Sequence, residues 1–354
     1  MAPLELALDI TPRSRLDVVD VRAKAAARYG RALEGYTRCL YHSPHTTAGY
    51  LPQSLATRLS ARGQGIPHYL DIFRTVFPEG AGYRHDQMEQ RDELAPEQRE
   101  VEPVNGDSHL AFITGGLHAC VSYVNRRPGP VFFIDLDGMN GATPRQRATT
   151  LVGYNHEQVV ARATLRVPVS SHPINAVNLK DPALGLYSQI GELIEQHGVV
   201  KGRVKLELGA GEQYASLTVN EYETLLMQYD LAEVLRNPLR FAAEKARHAW
   251  NDPRAVPGKA LDYAKYDLVR ALNRLVDALG LGSSRLERMV ARALEAPVSR
   301  FLRMKRTVDL LVSDTRTPGQ GAVVEGTYQA PIMVQWRPAQ LGARAVEVTL
   351  TRFS

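Results

Sequence analysis

Short apolar runs bounded by turn residues occupy positions 38–42, 110–113 and 131–136, the last reading VFFIDL, and predict β-strands. Residues 15–33 carry the helical spacing of an amphipathic, Ala-rich segment ending near Gly30 and Gly35. The same order restarts after residue 155. Residues 159–169 predict a strand, 187–197 a helix ending at Gly198, 204–208 an alternating strand and 222–235 another helix. Strands 330–335 and 345–350 close the chain as 131–136 closes the first half.

This recurrence predicts two diverged copies of one domain, residues 1–155 and 156–354. The loop HTTAGYLPQS (His45 to Ser54) stands against EQYASLTVNE (Glu212 to Glu221), each following a strand, with Ala fourth, and opening toward a helix. The second half is longer by a helical insertion over residues 231–299. In it Leu268, Leu272, Leu275 and Leu279 share one helix face, and Ser284 with Glu287 forms a capping box. The expected fold class is α+β.

Composition narrows the function classes. The chain has 354 residues, 44% hydrophobic and 23% charged, which suits a globular protein of about two domains and excludes wholesale disorder. Cys39 and Cys120 alone cannot build a disulfide framework or a cysteine zinc site, so a reducing cytoplasm is the expected compartment. No basic start with an apolar core opens the sequence, and no apolar run approaches the ~18 residues of a membrane span. The net charge is +5, with only eight Lys among 43 basic residues. Residues 231–300 hold 13 basic against eight acidic residues, so the whole surplus resides in the insertion. Their charges are mixed, as on a solvated helix face; an acidic partner or nucleic acid is the less favoured reading.

Candidate chemistry concentrates in the first half, where six of the ten histidines lie between positions 42 and 118. His45, His85 and His109 occupy three separate motif-like segments, the arrangement a borderline metal such as zinc uses when it keeps one position open. Asp86 or Asp107 is placed to orient an imidazole from behind. The bland alternative is scattered core and surface histidines. Asp135 and Asp137 share a strand face and offer oxygens to Mg²⁺, though turn formation before Gly138 explains them nearly as well. His118 beside Cys120 suggests a thiolate–imidazole pair or two buried neighbours. Gly209-Ala210-Gly211 lacks the rest of a nucleotide fingerprint.

Together these segments resemble the YjbQ-type family, also called the secondary thiamine-phosphate synthase family. His45-Thr46-Thr47-Ala48 fits its first motif, Pro78-Glu79 through Tyr83-Arg84-His85 its second, and Asn105-Gly106-Asp107-Ser108-His109-Leu110 its third. Asp135-Leu136-Asp137-Gly138, followed by Arg145 and Arg147, fits the last. Two family features are missing from the first half, which has Gln53-Ser54 in place of Asn-Glu and Arg126-Arg127-Pro128-Gly129 in place of Gly-Thr-Trp-Gln. The second half carries both, as Asn220-Glu221 and Gly326-Thr327-Tyr328-Gln329, but has Glu212 and Arg300 at the first and third histidine positions.

The resemblance implies a β-sandwich with flanking helices, assembly of single domains into trimers and hence a homo-oligomer. It also implies a weak ability to join a pyrimidine diphosphate to a thiazole phosphate. On that reading His45, His85 and His109 hold a divalent metal, zinc or alternatively Mg²⁺. Asp86 and Glu221 then supply catalytic carboxylates, with Glu221 donated across the two copies or serving only as a helix cap. Thr46, Thr47, Arg84, Asn105, Arg145, Arg147 and Gln329 would bind a small phosphorylated substrate, arginine being able to grip phosphate with two donors. A three-histidine metal suits hydrolysis equally well. The competing class is a non-catalytic binding or assembly protein built on the duplicated scaffold.

Overall fold

The pattern-derived strands pair as antiparallel ladders in the computed structural model of the chain, which describes residues 1–61, 65–125, 129–236, 241, 244 and 302–354. In chain order the strands are β1 (Leu4–Ile10), β2 (Asp17–Asp20), β3 (Arg38–His42), β4 (Ala48–Gly49), β5 (Cys120–Val124), β6 (Phe132–Asp135), β7 (Met139–Asn140), β8 (Thr143–Pro144) and β9 (Arg147–Tyr154). There follow β10 (Glu157–Pro168), β11 (Asn175–Asn178), β12 (Gly202–Leu208), β13 (Ala215–Asn220), β14 (Thr307–Ser313), β15 (Ala322–Val324), β16 (Ala330–Gln335) and β17 (Ala343–Phe353). The helices are α1 (Val21–Tyr29), α2 (Gln53–Ala61), α3 (Gly65–Val76), α4 (Pro96–Val101), α5 (Gly106–Thr114), α6 (Leu186–Gln196) and α7 (Leu231–Arg236). The fold is a mixed α/β one with several sheets.

These elements fall into two compact units that interleave along the chain. The first comprises Met1–Gln53, Leu117–Tyr222 and Lys305–Ser354, and the second Ser54–Gly116 and Glu223–Met304. The sequence boundary near residue 155 lies inside the first unit.

Among the described residues, every strand belongs to the first unit. One sheet runs β1-β9-β3-β5 and another β10-β17-β12-β14-β15, while two small sheets run β2-β6-β4 and β11-β16-β13. Taken in chain order within each half, the strand sequence of each larger sheet and of each smaller one is the same, with β15 an extra edge in the second half. Packing follows from alternation. In β12, GRVKLEL, every second residue is buried, and Val204, Leu206 and Leu208 meet Ile190 and Ile194 of α6 together with Val346, Val348 and Leu350 of β17. Both faces of β13 and β16 are covered, so every residue of each is buried. A second cluster joins the two large sheets: Leu40, Cys120, Val152 and Tyr154 against Leu311 and Phe353, with the Tyr154 and Phe353 rings stacked 3.9 Å apart.

The described part of the second unit is helical. Ile66, Tyr69, Leu70, Ile72, Phe73 and Val76 form the buried stripe of α3. All nine residues of α5 are buried, and its carboxyl end is tied by the Tyr69 hydroxyl donating to the Gly115 carbonyl at 2.8 Å. A single π-helical stretch, Leu225–Asp230, leads into α7. Of the inserted segment, residues 231–236 are the helix α7. The helix through Leu268 and Leu279, the Ser284–Glu287 capping box and Arg300 lie outside the described residues.

Two elements differ from the pattern-based expectation. The run at 110–113 belongs to α5, not to a strand, because a short fully buried apolar run has no period to separate the two. The helix expected from residue 15 begins only at Val21. Residues Asp17–Asp20 pair with β6, and the Asp20 side chain then caps α1 by accepting from the Arg22 and Ala23 amides.

Candidate functional site

His85 and His109 stand together in the second unit. His109 lies in the first turns of α5, where Asn105 is the N-cap residue and its carbonyl accepts from the Ser108 and His109 amides at 2.9 and 3.2 Å. His85 sits on the loop between α3 and α4. Both side chains are buried, and their ring centroids are 4.8 Å apart.

The loop is held by carboxylates. Asp86 Oδ1 accepts from the Asn105 and Gly106 amides at 3.1 and 2.9 Å, stitching the loop to the start of α5. The same oxygen lies 3.2 Å from His85 Nδ1. A carboxylate oxygen at Nδ1 favours the tautomer with its hydrogen there, the arrangement that turns Nε2 toward a ligand. Gly106 is required by this approach, since a Cβ there would lie 2.9 Å from the Tyr83 Cβ. Behind the loop, the buried Asp230 carboxylate accepts from the Arg84 amide at 3.0 Å and the His85 amide at 2.9 Å. Asp230 closes the π-helical stretch, a distortion that often marks functional sites. Nothing in the sequence singled it out, because its partners lie about 145 positions away.

Arg84 is exposed, with its guanidinium 5.2 Å from the centroid of the Tyr229 ring. It is thus a cation beside the histidine pair in the chain, resting on an aromatic face. Glu223 caps the helical segment that follows β13: its two carboxylate oxygens accept from the Leu225 and Leu226 amides at 2.6 and 2.7 Å.

The other expected site residues lie in the first unit. His45 is on the loop between β3 and β4, and its Nε2 accepts from the Ala148 amide at 2.9 Å. Burial, reinforced by Arg147 and Arg145, pushes its pKa down to about 3, so the ring is neutral. The imidazole thereby latches its loop to β9, with Nε2 committed to the backbone. Glu212 occupies the matching place in the second half, where its carboxylate accepts from the Ala345 amide at 2.8 Å.

Arg147 is buried, and its Nε and Nη2 donate to Asp135 at 2.8 and 2.9 Å, with Nη2 also reaching the Asp137 carbonyl at 2.6 Å and Thr47 Oγ1 at 3.3 Å. Arg145 pairs with Asp137. Asp135 and Asp137 therefore face guanidinium groups, as does Gln335 in the second half, whose Oε1 accepts from Arg344 Nε at 2.9 Å.

Gln329 donates from Nε2 to the Ser43 and His45 carbonyls, both at 2.9 Å, and Asn220 Nδ2 donates to the Thr46 carbonyl at 2.6 Å. These residues buttress the His45 loop. Gly326 approaches the same loop so closely that a Cβ would fall 1.7 Å from the Pro44 carbonyl oxygen. Glu221 follows β13 directly and is half-buried. Cys120 is buried in β5, and burial pushes its thiol well above the ordinary range, so it does not form the thiolate half of a pair with His118.

No protein-family model matches the chain, and no curated protein matches it. Solved structures do. A protein from Sulfolobus solfataricus described as YbjQ-like and of unknown function aligns over 99% of its length with 56% of this chain, at 15% identity and a TM-score of 0.28. A hypothetical protein from Aeropyrum pernix aligns over 98% of its length with 54% of the chain, at 12% identity and a TM-score of 0.28. An uncharacterized protein of the yjbq/upf0047 family from Clostridium acetobutylicum aligns over 99% of its length with 54% of the chain, at 13% identity and a TM-score of 0.25.

Proposed function

We propose that the chain is a metal-dependent enzyme acting on a small phosphorylated or heterocyclic substrate. A divalent ion, zinc by the nature of its donors, is held by His85 and His109, with a carboxylate completing its donor set. The observation that carries this reading is the buried His85–His109 pair, with Asp86 placed at the Nδ1 of His85. Two imidazoles and a carboxylate are a donor set that catalytic zinc uses. In this reading His45 serves its loop and not the ion.

A bound zinc would supply Lewis acidity toward a substrate oxygen. The chain's own residues do the rest. Asp86 fixes the tautomer and direction of His85, and Asp230 holds the backbone that carries it. Arg84 receives the substrate's anionic group, since Arg145 and Arg147 are engaged by Asp137 and Asp135. A weak thiamine-phosphate synthase-like transfer falls within this reading as a secondary activity.

The proposal includes the origin of the chain by tandem duplication. Three correspondences support that origin: the matched strand orders, the latches of His45 and Glu212, and the buried arginines Arg147 and Arg344. The basic inserted segment then falls in the sequence between β13 and β14, the place where the first half carries α2 to α5 between β4 and β5.

Elemental analysis of purified protein tests the site. One tightly held metal per chain is expected, lost in His85→Ala and His109→Ala and retained in His45→Ala. A metal-free protein whose folding ignores these changes would instead point to a non-catalytic scaffold.

A further inference from the structure

The first unit contains a cavity of about 880 Å³, large enough for a nucleotide-sized molecule, between α6 and the segment from Arg316 to Thr327. Its floor is a fixed polar group. The Glu325 side chain, 9% exposed, accepts from the Tyr187 hydroxyl and from Lys180 Nζ, the latter at 2.6 Å. Burial and the neighbouring carboxylate hold the Tyr187 phenol far above its ordinary range, so it stays a neutral donor. The Lys180 ammonium also lies 5.8 Å from the Tyr187 ring centroid. Ile194, Val199 and Val323 supply an apolar wall.

Two further features point to an occupant. Gly191 stands inside α6 on the cavity lining, where glycine costs about 1 kcal/mol relative to alanine. Neither a positive φ nor a close neighbour demands it: a Cβ there would meet nothing within 4 Å. A side chain at this position would project into the open space, so glycine keeps the cavity wide. Arg316 stands on the rim, exposed and with no ion pair or side-chain hydrogen bond among the described residues. Lys180 and Glu325 neutralise each other, so Arg316 is the cation of the lining left without a carboxylate partner, and the exposed Glu195 is its remaining acidic group.

We propose that this cavity between α6 and the 316–327 segment binds a small molecule with an apolar ring body and one anionic group, the anion gripped by Arg316 and the ring lying over Gly191. Both carboxylates and phosphates fit a guanidinium fork, and the shared chemistry is a planar or tetrahedral oxyanion. The assignment is independent of the histidine pair, since every lining residue belongs to the first unit.

Calorimetric titration of the full chain with adenosine 5′-monophosphate and with indole-3-carboxylate tests it, using adenosine and indole as uncharged counterparts. Saturable binding of at least one anion is expected, and which one binds identifies the oxyanion. The uncharged counterpart should bind at least ~10-fold more weakly, as loss of one charge-assisted contact implies. Arg316→Ala should weaken binding by a similar factor, and Gly191→Leu should abolish it. Leucine is the better helix former, so Gly191→Leu should keep or raise the melting temperature, separating a filled cavity from an unfolded chain. The proposal is overturned if neither anion binds, if the uncharged molecules bind equally, or if binding survives Gly191→Leu.

Discussion

The buried carboxylates of this chain have different duties, and substitution separates them. Asp86 is a positioning residue: Asp86→Asn removes the charge that holds the His85 Nδ1 hydrogen. Loss of such a partner typically lowers metal affinity 10- to 100-fold, and competition with a chromophoric chelator would measure it. An unchanged affinity would remove Asp86 from the proposed centre. Asp135 instead compensates Arg147, and both are buried. Arg147→Met strands a carboxylate in the interior and should cost about 3–5 kcal/mol in guanidinium unfolding, far more than any exposed pair here. A loss under about 1 kcal/mol would contradict the account.

Titration at single residues sets a pH dependence. Burial pushes His42 from 6.5 down to about 4, and pushes His118, also repelled by Lys305, from 6.5 down to about 3. As pH falls below 6.5 the unfolded chain takes up these protons while the native chain does not. Their contribution is therefore full above 6.5 and is lost progressively toward about 4 for His42 and about 3 for His118. Burial likewise pushes Lys305 from 10.5 down to about 7, so unfolded lysine holds a proton that the native side chain sheds. Stability should thus also climb as pH rises from about 7 to 10.5. Denaturation midpoints across both windows check the signs, and His118→Gln and Lys305→Met should each flatten one limb.

Among elements, legibility in the sequence followed periodicity. The α6 helix and strands β10, β12, β16 and β17 stood at or within a few residues of their expected ranges because each has a face to bury, or a run of residues, long enough to read. The 110–113 run did not, being too short and too uniformly apolar, and its conversion to α5 is what puts His109 on a helix behind an Asn105 cap. The histidine motifs were legible, but not the partner that each ring meets. That His45 spends Nε2 on the Ala148 amide depends on β9 passing beside its loop, about 103 positions away. Asp230 was invisible for the same reason. Loop-to-strand fit makes a second prediction at this scale. Gly326→Ala would force the Pro44 carbonyl away from the new methyl and should destabilise the chain by about 1–3 kcal/mol, read as a lowered denaturation midpoint. Undiminished stability would show that the two loops have more room than their approach implies.

At the scale of the molecule, the two halves do not correspond to the two compact units. Leu40, Cys120, Val152 and Tyr154 from the first half pack on Leu311 and Phe353 from the second. Glu5 of β1 likewise accepts from Ser313 and Thr315, at 2.6 and 2.7 Å. A fragment ending at residue 155 would expose that apolar face and leave Glu5 without these donors. It should be insoluble alone and become soluble when co-produced with residues 156–354, as fractionation of cell extracts would show. Solubility of the isolated fragment, with a cooperative melt, would contradict the shared core. Among the described residues no helix is long and apolar enough to cross a membrane.

The latch formed by His45, repeated by Glu212 with a carboxylate, separates what a position must do from what it happens to be made of. Each side chain presents an acceptor to the amide that follows a buried arginine, and Glu212 adds a second oxygen that accepts from Arg344 Nη1 at 2.8 Å. Such a site is a neutral corridor for change: it can pass between chemically unlike residues while the loop keeps its path. His45→Glu should therefore be far better tolerated than His45→Ala, and a lineage carrying this latch can acquire or shed a potential metal ligand there without first losing its fold.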